Sequence, residues 1–150
     1  MSASCRKVWN IPELKFGVLL PIPLGWVIFL YTGGEFYLIL KNNTENNIIA
    51  ENIIVADSFL KRLKGLMFTK QLSSQSGMLI HPCNSIHTYF MNYTIDVLYL
   101  DINNIIIAID EDMKPGKVGR IVKSATTVVE LNSGKVKETN TKVGQAVEFV

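Results

Sequence analysis

Val97-Leu98-Tyr99-Leu100-Asp101-Ile102-Asn103-Asn104-Ile105-Ile106-Ile107-Ala108-Ile109 sets the strand pattern of this chain. Two apolar runs rich in β-branched residues flank an Asn-Asn pair. Such runs favour strands, and asparagine accepts the positive φ of a tight hairpin turn. The stretch therefore reads as two strands folded back on each other.

The same signals recur on both sides. Upstream, residues 36–40 and 48–55 are β-favouring runs joined by the Asn-rich segment 41–47, and they read as a second hairpin. Residues 77–80, 85–92 and 95–100 read as three further strands. Downstream, Lys114-Pro115-Gly116 marks a longer loop, residues 126–131 a strand, Ser133-Gly134 a turn with a short helical turn to Glu138, and residues 145–150 the closing strand. One helix interrupts the series. Asp57 is placed to cap it, Phe59, Leu60 and Leu63 fall on one face, and Lys61, Arg62 and Lys64 suit its negative end. Gly65 can adopt the positive φ that stops it. The expected class is mainly β (α+β): an antiparallel sandwich or partly closed barrel with one or two short flanking helices, closed around a single interior.

The chain has 150 residues and a formal net charge of +2. That length suits one domain, and near-neutral charge gives no global pull towards nucleic acid. Residues 36–150 suffice to bury roughly 65% of the unfolded surface without metal or disulfide staples. Cys5 and Cys83 lie on opposite sides of an apolar segment, so no disulfide framework is expected and Cys83 reads as a free thiol.

That segment, Phe16 to Tyr31 (FGVLLPIPLGWVIFLY), carries no charge and follows Arg6, Lys7 and Lys15. A basic flank before an apolar run is the pattern of a signal sequence or membrane anchor. Against this, its sixteen residues would reach only about 24 Å as a helix, short of a hydrocarbon core of roughly 30 Å. Pro21 and Pro23 would each remove a helical hydrogen bond. Extra strands packed on the domain, or an extension foreign to it, are the rival readings. Residues 1–35 are thus expected to be a leader and residues 36–150 the domain, exported or membrane-anchored if the leader is real and cytoplasmic otherwise.

Arg62-Leu63-Lys64-Gly65-Leu66-Met67 carries the pattern R-x-x-G-L-M, and Gly77-Met78-Leu79 follows it. Then come His87-Thr88-Tyr89-Phe90-Met91-Asn92 with Ile95-Asp96-Val97, Val129-Glu130-Leu131 with Gly134, and Lys142-Val143-Gly144. In order and spacing these segments resemble the family catalogued as domain of unknown function 192, over about residues 36–149. The resemblance implies a mainly β domain with short helices and brings no activity with it.

Several side chains could carry chemistry. Arg62, His87, Asn92, Asp96 and Glu130 are candidates for a polar ligand pocket. Asp96 and Glu130 sit in or beside apolar strands, where an ionised carboxylate needs a partner, and Arg62 can offer a bidentate fork. A buried ion pair fixing the helix to the sheet is the competing and favoured expectation. His81, Cys83, His87 and Met91, with Met67 and Met78 nearby, offer ligands for zinc or reduced copper, but no standard zinc spacing is present. Cys83 with His87 as base and Asp96 as orienting partner would make a nucleophile. Lys114, Lys117, Arg120 and Lys123 form a basic loop able to meet phosphate or anionic lipid. No phosphate-binding glycine loop, serine elbow or nucleic-acid motif occurs, so neither cofactor nor nucleic acid is expected. The expected function is a non-catalytic domain binding a small ligand or partner protein, held at a membrane if Phe16 to Tyr31 is an anchor. A soft-metal binder and a Cys83/His87 enzyme are the alternatives.

Overall fold

The computed structural model describes residues 31–32, 35–56 and 58–150. Along the chain run β1 (Tyr31–Thr32), β2 (Glu35–Asn42), β3 (Asn47–Ala56), α1 (Phe59–Lys64), β4 (Ser76–Ile80), β5 (Ile95–Leu100), β6 (Ile106–Met113), β7 (Thr127–Asn132), α2 (Lys135–Glu138) and β8 (Val147–Phe149). The decisive hairpin is present. β5 and β6 pair antiparallel, with Leu98 opposite Ile109 and Tyr99 opposite Ala108. Asn104 takes φ 58°, and the Asp101 carboxylate accepts the N–H groups of Asn103 and Ile105, each at 2.9 Å. In the β2–β3 hairpin, Asn42 Oδ1 accepts from Thr44 and Glu45, and Asn46 takes φ 54°.

The strands lie in the order β1-β2-β3-β4-β7-β5-β6, with β8 also on β2. β3 and β4 run parallel, so the sheet is mixed where a wholly antiparallel one was expected. α1 and the loop behind it supply the crossover that a parallel pair requires. The sheet curls into a half-barrel. Just before β8, the backbone bonds the start of β6 (Ile106 N–H to Gln145 O at 2.9 Å, Gly144 N–H to Ile106 O at 2.7 Å), which ties the two sides of the sheet together at one end.

Two apolar clusters occupy the two faces, in place of the single interior expected. Leu98 and Leu100 of β5 join Leu38, Ile53, Leu79, Leu131 and Phe149 on one side. Ile95, Val97 and Tyr99 of the same strand join Ile80, Val128, Leu66, Ile86 and Met91 on the other. Alternation along β5 places its side chains on both faces, and all six residues are buried.

Residues 85–92 are not a strand. One isolated bridge joins His87 to Val118, and Phe90 takes φ 59°, which is incompatible with a continuing ladder. The segment instead hangs on the loop opposite through Val122 N–H to Asn84 O, Gly119 N–H to Ile86 O and Thr88 N–H to Lys117 O. It forms a cover over the second apolar cluster.

α1 is capped by Ser58, whose hydroxyl accepts from Lys61 N–H at 3.2 Å; Asp57 lies outside the described residues. Gly65 ends it at φ 49°, ψ −132°, a conformation open mainly to glycine. No residue of α1 is buried, so the expected core face of Phe59, Leu60 and Leu63 points to solvent. The expected leader falls almost wholly outside the described residues. Among those described, no helix is long and apolar enough to cross a membrane.

Candidate functional site

Strand β7 reads Thr-Val-Val-Glu-Leu-Asn and lies between β4 and β5, with Glu130 opposite both Met78 and Val97. A carboxyl group is thereby carried into the middle of the sheet, only 2% exposed. Among the described residues its Oε2 finds no hydrogen-bond partner and no cation within ion-pair distance. Burial pushes its pKa up to about 8, because the charged form has lost its water. Glu130 is therefore mostly a neutral acid at pH 7.

The end of α1 passes directly over this group. A Cβ at Gly65 would stand 3.5 Å from Glu130 Oε2, so the turn brings bare backbone against the acid. Between helix and sheet lies a cavity of about 190 Å³, lined among others by Arg62, Gly65, Cys83, His87 and Glu130. His87 presents a buried Nδ1 that has no partner among the described residues, while its ring tilts against Tyr89 at 5.3 Å. Two residues with unsatisfied buried polar atoms lining one small cavity is a rare arrangement, since buried polar groups are almost always paired.

Cys83 closes the floor. Its thiol donates to Ser85 O at 3.0 Å, and burial pushes its pKa up, reinforced by Glu130 and opposed by local backbone hydrogen bonds and Arg62. A raised pKa leaves little thiolate, the opposite of what an activated nucleophile needs. The thiol points at a backbone carbonyl, and Asp96, the orienting partner expected for a Cys83–His87 pair, lies elsewhere. Its carboxylate accepts from Asp112 N–H and from Val136 N–H at the start of α2, each at 3.0 Å.

Of the five expected pocket residues, then, Arg62, His87 and Glu130 meet at one cavity, each from a different motif segment. Asp96 lies outside the cavity with both oxygens on backbone N–H groups, and Asn92 is exposed outside it. The expected buried ion pair does not form: among the described residues Arg62 pairs with neither acid. The metal candidates also disperse. His81 Nδ1 bonds Thr127 Oγ1 at 2.9 Å, beside a second, open cavity of about 420 Å³ that also touches Cys83. Met91 packs in the core, and the described residues hold no group of three or more His, Cys, Asp or Glu able to bind a metal. In the basic loop, Arg120 is engaged by Asp110 at 2.8 Å and lies over the Tyr99 ring, whereas Lys114, Lys117 and Lys123 are exposed.

Sequence reasoning missed Gly65 as a wall of the site, and it missed Tyr93, which lies outside the cavity lining but close enough to feel Glu130. Burial raises the Tyr93 pKa, with Glu130 adding to the shift against a hydrogen bond from Thr69. A glycine ending a helix within the same motif as Arg62 was the available signal for close approach.

Relatives share this framework. The chain is 27% identical to a UPF0127 protein of Thermococcus sibiricus over 73% of each chain. It is 28% identical to one of Pyrococcus horikoshii, over 73% of this chain and 97% of that protein. A protein of unknown function from Novosphingobium aromaticivorans shares the fold with TM-score 0.68 at 17% identity, covering 95% of this chain and 99% of that one. A putative transcription regulator from Sinorhizobium meliloti does so with TM-score 0.66 at 21% identity, over 77% and 92%. The family described as Uncharacterized ACR, domain of unknown function 192, matches residues 39–149, and the chain belongs to that family.

Proposed function

We propose that this domain is a binding module for a small anionic molecule held in the cavity beneath α1. One observation carries the reading: Glu130 and His87, each holding a buried polar atom without a partner among the described residues, line the same cavity as the cation of Arg62. Each unpaired group costs about 1–3 kcal/mol, which a ligand offering a hydrogen bond to it would recover. The cavity volume of about 190 Å³ equals roughly six water molecules at about 30 Å³ each, so the ligand, or the part of it that enters, is small.

Charge selects its sign. Arg62 and Lys64 are the fixed cations at the walls, Cys83 stays protonated, and Glu130 is mostly neutral below about pH 8. A carboxylate can therefore lie beside Arg62 and accept a hydrogen bond from the Glu130 acid. Ionisation of Glu130 reverses this preference. Titrating acetate against guanidinium by thermal shift at constant ionic strength tests the proposal. Acetate should stabilise the protein saturably near pH 6 and not near pH 9, while Glu130→Gln, which mimics the protonated acid, should respond at both. Arg62→Ala should respond at neither. Equal responses from Arg62→Ala and the parent protein, or a preference for guanidinium, would overturn the reading.

A further inference from the structure

The outer surface of α1, the turn behind it and the 88–90 turn present five large apolar side chains to solvent. Phe59, Leu60 and Leu63 are 69%, 74% and 57% exposed. Phe68 and Phe90 stack at 5.2 Å between centroids, are joined by a backbone hydrogen bond, and are 67% and 65% exposed. Both phenylalanines hold positive φ, near 60°, a conformation that bulky residues seldom take and that here turns both rings outward.

Positive charge surrounds this surface. From Ser58 to Ile95 the chain carries Lys61, Arg62, Lys64 and Lys70 and no Asp or Glu. The 88–90 turn is also bonded to the basic loop: Thr88 N–H donates to Lys117 O, its hydroxyl to Lys114 O, and it accepts from Gly116 N–H. Lys114 and Lys117 therefore sit on the loop bonded to the turn that carries Phe90, and both are exposed. The neighbouring acids Glu111 and Asp112 are engaged by Lys137, on α2.

We infer that this face docks on an anionic lipid bilayer, with the leucine and phenylalanine side chains in the interfacial layer and the lysines among the headgroups. Aromatic and aliphatic groups interleaved with cations match a surface that is apolar within and negative outside. Nucleic acid would accept the stacked rings but offers no place for Leu60 and Leu63. The uncharged run from Phe16 to Tyr31 would accept the apolar groups but leaves the cations unmatched. Because Arg62, Leu63 and Lys64 also line the cavity, docking brings α1, its outer wall, to headgroup level.

Flotation of the full chain with phosphatidylcholine vesicles, with and without phosphatidylserine, tests this. Partitioning should be about ten-fold greater onto the anionic vesicles and should fall with added salt. A Leu60→Ser/Phe90→Ser variant should lose about ten-fold, as should a separate Lys70→Glu/Lys117→Glu variant. None of these four residues lines the cavity, so the outcome is separable from acetate binding. Equal flotation with neutral vesicles, undiminished binding by the charge variant, or tighter binding to duplex DNA than to vesicles would each overturn the inference.

Discussion

Replacing Glu130 by glutamine should change how stability depends on pH, and the size of the effect follows from burial. The carboxyl titrates near 4.5 when solvated and at about 8 in the fold. Its folded value is raised, so its stabilising contribution is complete below about pH 4.5 and declines as pH rises through 8. Between those limits the native state holds one proton more than the unfolded chain, and unfolding free energy falls by about 1.4 kcal/mol per pH unit from this group alone. Across the window that amounts to on the order of 5 kcal/mol, comparable with the whole stability of a marginal domain. Glutamine has no proton to lose. Its buried amide brings a desolvation cost, but that cost is an offset independent of pH. Urea denaturation of both proteins from about pH 5 to 9 isolates the term, because other groups cancel in the difference. The glutamine protein should gain on the parent by roughly 3–5 kcal/mol from the acid to the alkaline end, with most of the gain below pH 8. A difference that stays flat, or slopes the other way, would show that Glu130 is not held neutral by the fold and would remove the basis for its role at the cavity.

Two further substitutions probe the scaffold. Asp96→Ala should destabilise by about 2–4 kcal/mol in the same urea assay, since the buried Val136 N–H loses its acceptor and Asp112 N–H must turn to water; a loss below about 0.5 kcal/mol would show that α2 does not depend on this carboxylate. Gly77→Ala should cost about 1–3 kcal/mol through overpacking. Its Cβ would stand 2.6 Å from Ile53 Cδ1 and 2.8 Å from the Glu130 carbonyl oxygen, and the carbonyl is fixed in the ladder; an unchanged thermal midpoint would contradict so close an approach.

The hairpins were legible because their signals are local: an asparagine at positive φ and a polar linker between apolar runs specify a turn without reference to the rest of the chain. The parallel β3–β4 pair was not, because it depends on where the chain returns after α1, and no local residue records that. Residues 85–92 imitate a strand by alternation, which would put Ser85, His87, Tyr89 and Met91 on one side. Positive φ at Phe90 breaks the alternation and leaves Tyr89 exposed and Met91 buried. α1 shows the converse failure. Its spacing of Phe59, Leu60 and Leu63 is that of a core-facing helix, and periodicity cannot distinguish a face that meets the core from one that meets another apolar surface. For the site, the rule that a carboxylate in an apolar strand demands a partner drew attention to both Asp96, which receives two backbone N–H groups, and Glu130, whose Oε2 finds none among the described residues. Which of the two would lack one was beyond any local pattern.

The contrast between those two acids is the strongest reason to read the cavity as functional. Both are carried by central strands and both are almost fully buried. Asp96 shows how this fold treats a structural carboxylate: each oxygen receives a backbone N–H at 3.0 Å. Thr88 is treated the same way, its hydroxyl held between the backbones of Lys114 and Lys117. Glu130 has nothing equivalent on Oε2, although a leucine or methionine there would fill the space without the penalty of a buried acid. Gly65 offers only bare backbone above it, and Arg62, close enough to influence Cys83, forms no ion pair with it. A scaffold that gives Asp96 and Thr88 their partners, yet leaves Glu130 Oε2 without one among the described residues, is the pattern that the proposed ligand would explain.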